Sequence, residues 1–271
     1  MTGFHVVALL ASLTLGADPL ADLQAALARL TARTPAAARF TVRYENVAGE
    51  GQEAVKVSGE VSGEASEGAD GLEIHWGQAV LRRAREEERR HGANPEVPTP
   101  TRDGLAQVQA IDLANRLDAA WTLRDELSRA TLIEAREDRL DGVPVRLLVV
   151  KLSPALQPRE RRYVKDLEAV GKLWLGPDGL PLAAEARLLG KGRIFLVISF
   201  ESEVLQSWRY ARVGDRLVAV RHEDQRRWSG AGDRGMRRSN SLLELLPGPL
   251  PQPARSPENT PLDPGGPPSV R

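Results

Sequence analysis

The apolar positions of this chain recur first at helical and then at strand spacing. Leu20, Leu23, Leu27 and Leu30 fall three or four apart behind Asp18-Pro19, an N-cap followed by Pro at the first helical position. Arg29 and Arg33 sit where a helix dipole favours cations and Pro35 stops the run, so the spacing predicts a helix from Asp18 to about Arg33. Alternation follows, with Phe40, Val42 and Tyr44 facing one way and Arg39, Thr41, Arg43 and Glu45 the other. Val55, Val57 and Val61 repeat that pattern, and Leu72, Ile74 and Trp76 close a third strand. The segment VSGEVSGEASEGADG (57–71) is small and acidic, a composition that predicts a flexible hairpin tip.

The charge run LRRAREEERR (81–90) reads as a solvated helix or a long edge strand, because its signs alternate and cancel. A loop with three prolines follows at 91–101. From Asp103 to Arg129 the period is helical again, through Leu105, Val108, Leu113, Leu117, Trp121 and Leu127, and predicts one long or two short helices. Beyond Ala130 the chain reads as hairpins. Their turns fall at Asp141-Gly142, at Gly176-Pro177-Asp178-Gly179 with Gly179 in the left-handed position, and at Gly214-Asp215. A last strand covers Met236–Leu246.

Two of these strands break the usual alternation. VRLLVV (145–150) and IFLVISF (194–200) are apolar on both faces, so both faces of the middle strands must be covered. The predicted fold is therefore α+β: a single curved antiparallel sheet of about ten strands, an open half β-barrel with helices packed in its concave face. Wherever helix and sheet pack incompletely, such a shape leaves an apolar cleft.

Composition narrows the setting. With 37 basic and 37 acidic residues the formal net charge is zero, which removes the positive excess that broad nucleic-acid binding needs. The chain has no Cys, which excludes disulfides, thiolate metal sites, a Cys nucleophile and a lipid-anchored N-terminal Cys. An apolar run from Val6 to Leu15 has the length of a signal-peptide core and ends at Thr14-Leu15-Gly16. The expected organisation is a signal peptide over 1–16, a half-barrel domain over 17–246 and a Pro-rich, disordered tail over 247–271. The competing reading of the run is a buried N-terminal helix. No segment reaches the ~18 apolar residues a membrane-spanning helix requires.

The leucine helix followed by ARFTVRYENVAG, the hairpin KLWLGPDGLPLAAEARL and RIFLVISFE resemble the bacterial outer-membrane lipoprotein-sorting carriers and their half-barrel relatives, as a divergent member. The helical insertion at about 103–129 fits the same family, and the resemblance runs from about Ala17 to Leu246. It implies the half-barrel fold and binding of an apolar ligand. The partners it implies are a lipid or an acylated protein, with inner- and outer-membrane partner proteins, and the compartment is the periplasm.

Catalytic signals are few. Gly230 to Gly235 match G-x-G-x-x-G but precede a strand rather than a helix, so they read as a hairpin loop. His5, His75, His91 and His222 are too scattered for a local metal pair, and no G-x-S-x-G nucleophile elbow occurs. The expectation is a protein that is not an enzyme, without cofactor or metal. It would hold an acylated or other apolar ligand against Phe40, Val42, Tyr44, Val145, Leu147, Leu196, Ile198 and Phe200, with Leu117 and Trp121 on the helical lid. Two alternatives stand beside it. One is an envelope interaction or sensing module whose cleft is filled by its own side chains; the other is an enzyme, which convergent buried polar groups in the cleft would signal.

Overall fold

In the computed structural model, residues 18–49, 54–156, 162–194, 198–230 and 232–247 are described. The apolar run at 6–15, Leu196 and the chain beyond Pro247 lie outside them. Ten strands form one open antiparallel sheet in the order β3-β2-β1-β10-β9-β8-β7-β6-β5-β4. In chain order these are β1 (Ala36–Ala48), β2 (Val55–Gly68), β3 (Gly71–His75), β4 (Thr131–Leu140), β5 (Val143–Lys151), β6 (Val164–Leu175), β7 (Pro181–Ile194), β8 (Ile198–Val213), β9 (Arg216–Gly230) and β10 (Asp233–Leu245). Apart from the β1–β10 pairing, which sets the first strand beside the last, every neighbour in the sheet is a hairpin partner or the next strand in sequence. The helices are α1 (Pro19–Ala28), α2 (Gln78–Ala93), α3 (Pro100–Ala106), α4 (Ala110–Leu117) and α5 (Ala119–Leu127). No helix among the described residues is long and apolar enough to cross a membrane.

Helices cover one face of the sheet. Leu23 and Leu27 of α1 and Leu123 and Leu127 of α5 pack over Leu148, Val150, Leu173 and Leu217. Leu113 and Leu117 of α4 pack over Phe40, Val42, Val61 and Leu243, with Trp76 edge-on to Phe40 at 5.1 Å. The doubly apolar pattern of β5 has the predicted result: Leu147 and Leu148, adjacent in sequence, are 1% and 0% exposed. The hairpin turns fall where predicted, with Asp141 and Gly142 both at positive φ and Gly179 at φ 75°.

Three expectations are corrected. The first helix ends at Ala28, not Arg33, because the carboxylate of Asp215 in the β8–β9 turn captures the chain beyond it. That carboxylate accepts the backbone N–H of Arg33 (3.0 Å) and of Thr34 (2.8 Å) and the Thr31 hydroxyl, and Ala32 turns to φ 53°. The segment 57–71 is no loop tip, since β2 continues to Gly68 in unbroken register with β1. Gly63 stands opposite Phe40 and Gly59 opposite Tyr44, and a Cβ at either would lie 2.6 Å from the facing ring. Small residues there make room for aromatic rings rather than for a turn.

The third correction concerns the lid. The 103–129 region is three short helices, and the break at Asp118 (φ −128°, ψ 67°) resets the helical phase. Ala120, Leu123 and Leu127 then face the core, and Trp121, one position off that stripe, is 60% exposed.

Candidate functional site

The strand register assembles the floor of the site in rows. On the helix-covered face the first row runs Val42, Ser241, His222, Trp208, Ala184, Leu173 from β1 across to β6. The second runs Tyr44, Ser239, Asp224, Gln206, Ala186, Gly171, and the third Asn46, Arg237, Arg226, Val204, Leu188, Ala169. The floor thus passes from apolar and aromatic beneath α4 and α5, through a polar row, to a row with two arginines. Between this floor and the helices lies a cavity of about 400 Å³. Its apolar end is built from Leu123, Leu127, Val150, Leu152, Leu173 and Trp208; its polar end includes Asp112, Arg116, Asp224, Arg226 and Arg237.

Arg116 is fixed at the inner wall. It follows Leu113 by three residues on α4, so it shares the core-facing side of that helix and is only 7% exposed. Its Nε and Nη2 donate to the Ala219 carbonyl (3.3 and 3.1 Å) and Nη2 to the Ser241 carbonyl (3.2 Å), while Nη1 donates to the Ser241 hydroxyl. Burial, offset in part by Asp112, lowers its pKa to about 10, so it stays cationic at neutral pH. Hydrogen bonds to carbonyls and a hydroxyl offset only part of the cost of burying this cation.

His222 lies beside it, its ring stacked on Trp208 at 5.1 Å and 7°. Burial first, and the charge of Arg116 second, depress the imidazole to a pKa of about 4. Its Nε2 is buried without a partner among the described residues, and so is the Oγ1 of Thr122 on α5. Both residues line the cavity. Buried polar atoms ordinarily find a hydrogen bond, and these two belong to residues of one cavity wall.

Polar groups do therefore converge here. An imidazole with a pKa of about 4 is a poor general base near neutrality, and the nearby Ser241 hydroxyl is engaged by Arg116. Among the described residues no three His, Asp or Glu side chains cluster to hold a metal. The arrangement is suited to holding a ligand: apolar wall, aromatic plate, fixed cation and unfilled donors and acceptors.

Phe40, Val42 and Leu117 are brought together in one core cluster and Tyr44 packs against α3, all four buried. Of the expected ligand contacts among the described residues, Val42 alone lines the cavity. Phe40 and Leu117 are core, at 0% exposure, and the Tyr44 hydroxyl is spent on the Pro100 carbonyl at 3.0 Å. Val145 and Leu147 are placed on the opposite face, away from Leu148 and Val150; Leu147 stands across from Trp174, whose indole N–H donates to Asp138 (3.0 Å). Trp121 points outward, and Phe200 is half-buried over Gly192, far along β8 from the helices. Leu196 and the Ile198 side chain lie outside the described residues. Missing from the expectation were Arg116, Thr122, His222, Arg226 and Arg237. One signal was available: Arg116 interrupts the apolar stripe of Leu113, Leu117 and Ala120.

No family model matches this chain, and no curated protein does. Among solved structures, a crystal structure of MucB in complex with MucA(peri) is similar at 11% identity, over 83% of this chain and 94% of that one, with a TM-score of 0.20. A TM-score of 0.20 is too low to carry a shared mechanism, so function is argued from this chain's own residues.

Proposed function

We propose that the protein is a non-catalytic binding module of the cell envelope whose cavity holds an amphipathic, acylated small molecule. The observation that carries this reading is the cavity of about 400 Å³, apolar at one end, with the unpartnered His222 Nε2 and Thr122 Oγ1 in its wall. That volume falls within the ~300–1,000 Å³ of small-molecule sites. An acyl chain would lie against Leu123, Leu127, Val150 and Leu173, gaining about 0.8 kcal/mol per buried methylene. The export half of the proposal rests on the apolar run Val6–Leu15.

The test is native mass spectrometry of the full chain from an exporting host, before and after organic extraction, followed by titration with dodecyl probes. We expect an extractable adduct, or probe binding that changes tryptophan fluorescence and loses that change in Trp208→Phe. A protein with no adduct and no probe binding would overturn the carrier reading. It would select instead an interaction module with a self-filled face, a reading that the complete burial of Phe40, Leu23, Leu27 and Leu117 by their neighbours favours.

A further inference from the structure

We infer that the mouth of the cavity is an anion site, in which the guanidinium groups of Arg226 and Arg237 grip a carboxylate or phosphate. The inference rests on the binding role proposed for the cavity and adds the charge of what is bound. Arg39 faces Glu64, Arg43 faces Glu60 and Lys191 faces Glu201, in ion pairs of 3.2, 2.6 and 3.1 Å, and where Arg209 faces Arg221 each is paired with a carboxylate, Asp141 (3.0 Å) and Glu223 (2.6 Å). Arg226 on β9 faces Arg237 on β10, on the helix-covered face and at the cavity wall. Like charges directly opposite each other destabilise a strand pair.

Among the described residues no carboxylate forms an ion pair with either arginine. Arg237 donates to the side-chain oxygen of Gln107, just past α3, which holds its guanidinium at the mouth, and Arg226 makes no hydrogen bond or ion pair among the described residues. Asp224, two residues away on the same strand face, already accepts from Gln206 at 3.2 Å. Asp112 and Glu126 line the cavity, yet neither forms an ion pair with Arg226 or Arg237. Two exposed arginines on facing strand positions can each present a guanidinium fork, the donor geometry that suits a carboxylate or phosphate. His222 Nε2 and Thr122 Oγ1, without partners among the described residues, belong to the wall of the same cavity and add to its polar character.

The experiment compares dodecanoate, dodecyl phosphate, 1-dodecanol and inorganic phosphate on the full chain, as wild type, as Arg226→Gln/Arg237→Gln and as Arg226→Lys/Arg237→Lys. We expect the wild type to bind the two charged dodecyl probes at least tenfold more tightly than dodecanol. The glutamine double variant should lose that preference while keeping its dodecanol affinity, which also shows that it is folded. The lysine variant should keep only part of the preference, having charge without the fork. Equal wild-type affinity for charged and neutral probes overturns the anion site and leaves the acyl cavity standing. Binding of inorganic phosphate alone, abolished by the glutamine pair, upholds the anion site, assigns it to a free anion and removes the acyl reading.

Discussion

Thr122 and His222 show how single residues in this protein are set against stability. Burying a hydroxyl without a partner costs roughly 1–3 kcal/mol, and the protein bears that cost at Thr122. Thr122→Val keeps the shape and removes the unmet donor, so it should raise unfolding stability by about 1 kcal/mol in urea titrations. The same variant should bind dodecanoate several-fold more weakly. A Thr122→Val protein that is destabilised would mean that the hydroxyl already has a partner inside the fold. One that is stabilised but binds normally would place the ligand's polar group elsewhere. Arg116 is costly for a different reason, as a buried charge whose hydrogen bonds go to carbonyls and a hydroxyl, and its position in an apolar stripe announces it in the sequence.

At the scale of elements, legibility depended on whether a segment's composition reports its own backbone or its neighbour's needs. The hairpins at Asp141-Gly142, Gly176–Gly179 and Gly214-Asp215 were readable because turn geometry selects its residues locally. β2 was not, because Gly59 and Gly63 answer to the rings of Tyr44 and Phe40 across the strand pair. The end of α1 was equally hidden, being set by Asp215, about 180 residues away in sequence. The phase reset at Asp118 misplaced Trp121 for a related reason: a one-residue break in a helix moves every later residue to a new face. The β2 account is testable. Gly63→Ala sets a methyl group 2.6 Å from Phe40 Cζ and 2.9 Å from the His75 carbonyl, and should cost roughly 1–3 kcal/mol. Gly68→Ala, at the end of the same strand with nothing within 4 Å, should be neutral or slightly stabilising. Equal thermal-melt shifts for the two would show that glycine in β2 is not there to make room for the rings.

For the molecule as a whole, one open sheet with helices packed on it was foreseeable, since apolar strands demand cover and few segments can supply it. The cavity was not, because incomplete packing depends on where five short helices settle, which no local period encodes. Its contents nevertheless leave a mark on the entire folding equilibrium. His222 has an ordinary pKa near 6.5 in the unfolded chain and about 4 in the fold, so between those values the unfolded state binds more protons. Stability should therefore be fully present above pH ~6.5 and decline as pH falls toward about 4, by at most ~1.4 kcal/mol per pH unit from this group. Asp215, held well below its usual range by the Thr31 and Thr34 side chains and the Arg33 and Thr34 amides, acts in a separate, more acidic window. Urea midpoints at pH 7 and pH 5 separate the two: the wild type should lose stability over that interval, and His222→Gln should lose clearly less. An identical loss in both proteins would assign the pH dependence to another group and remove the argument that a neutral imidazole is built into the cavity wall.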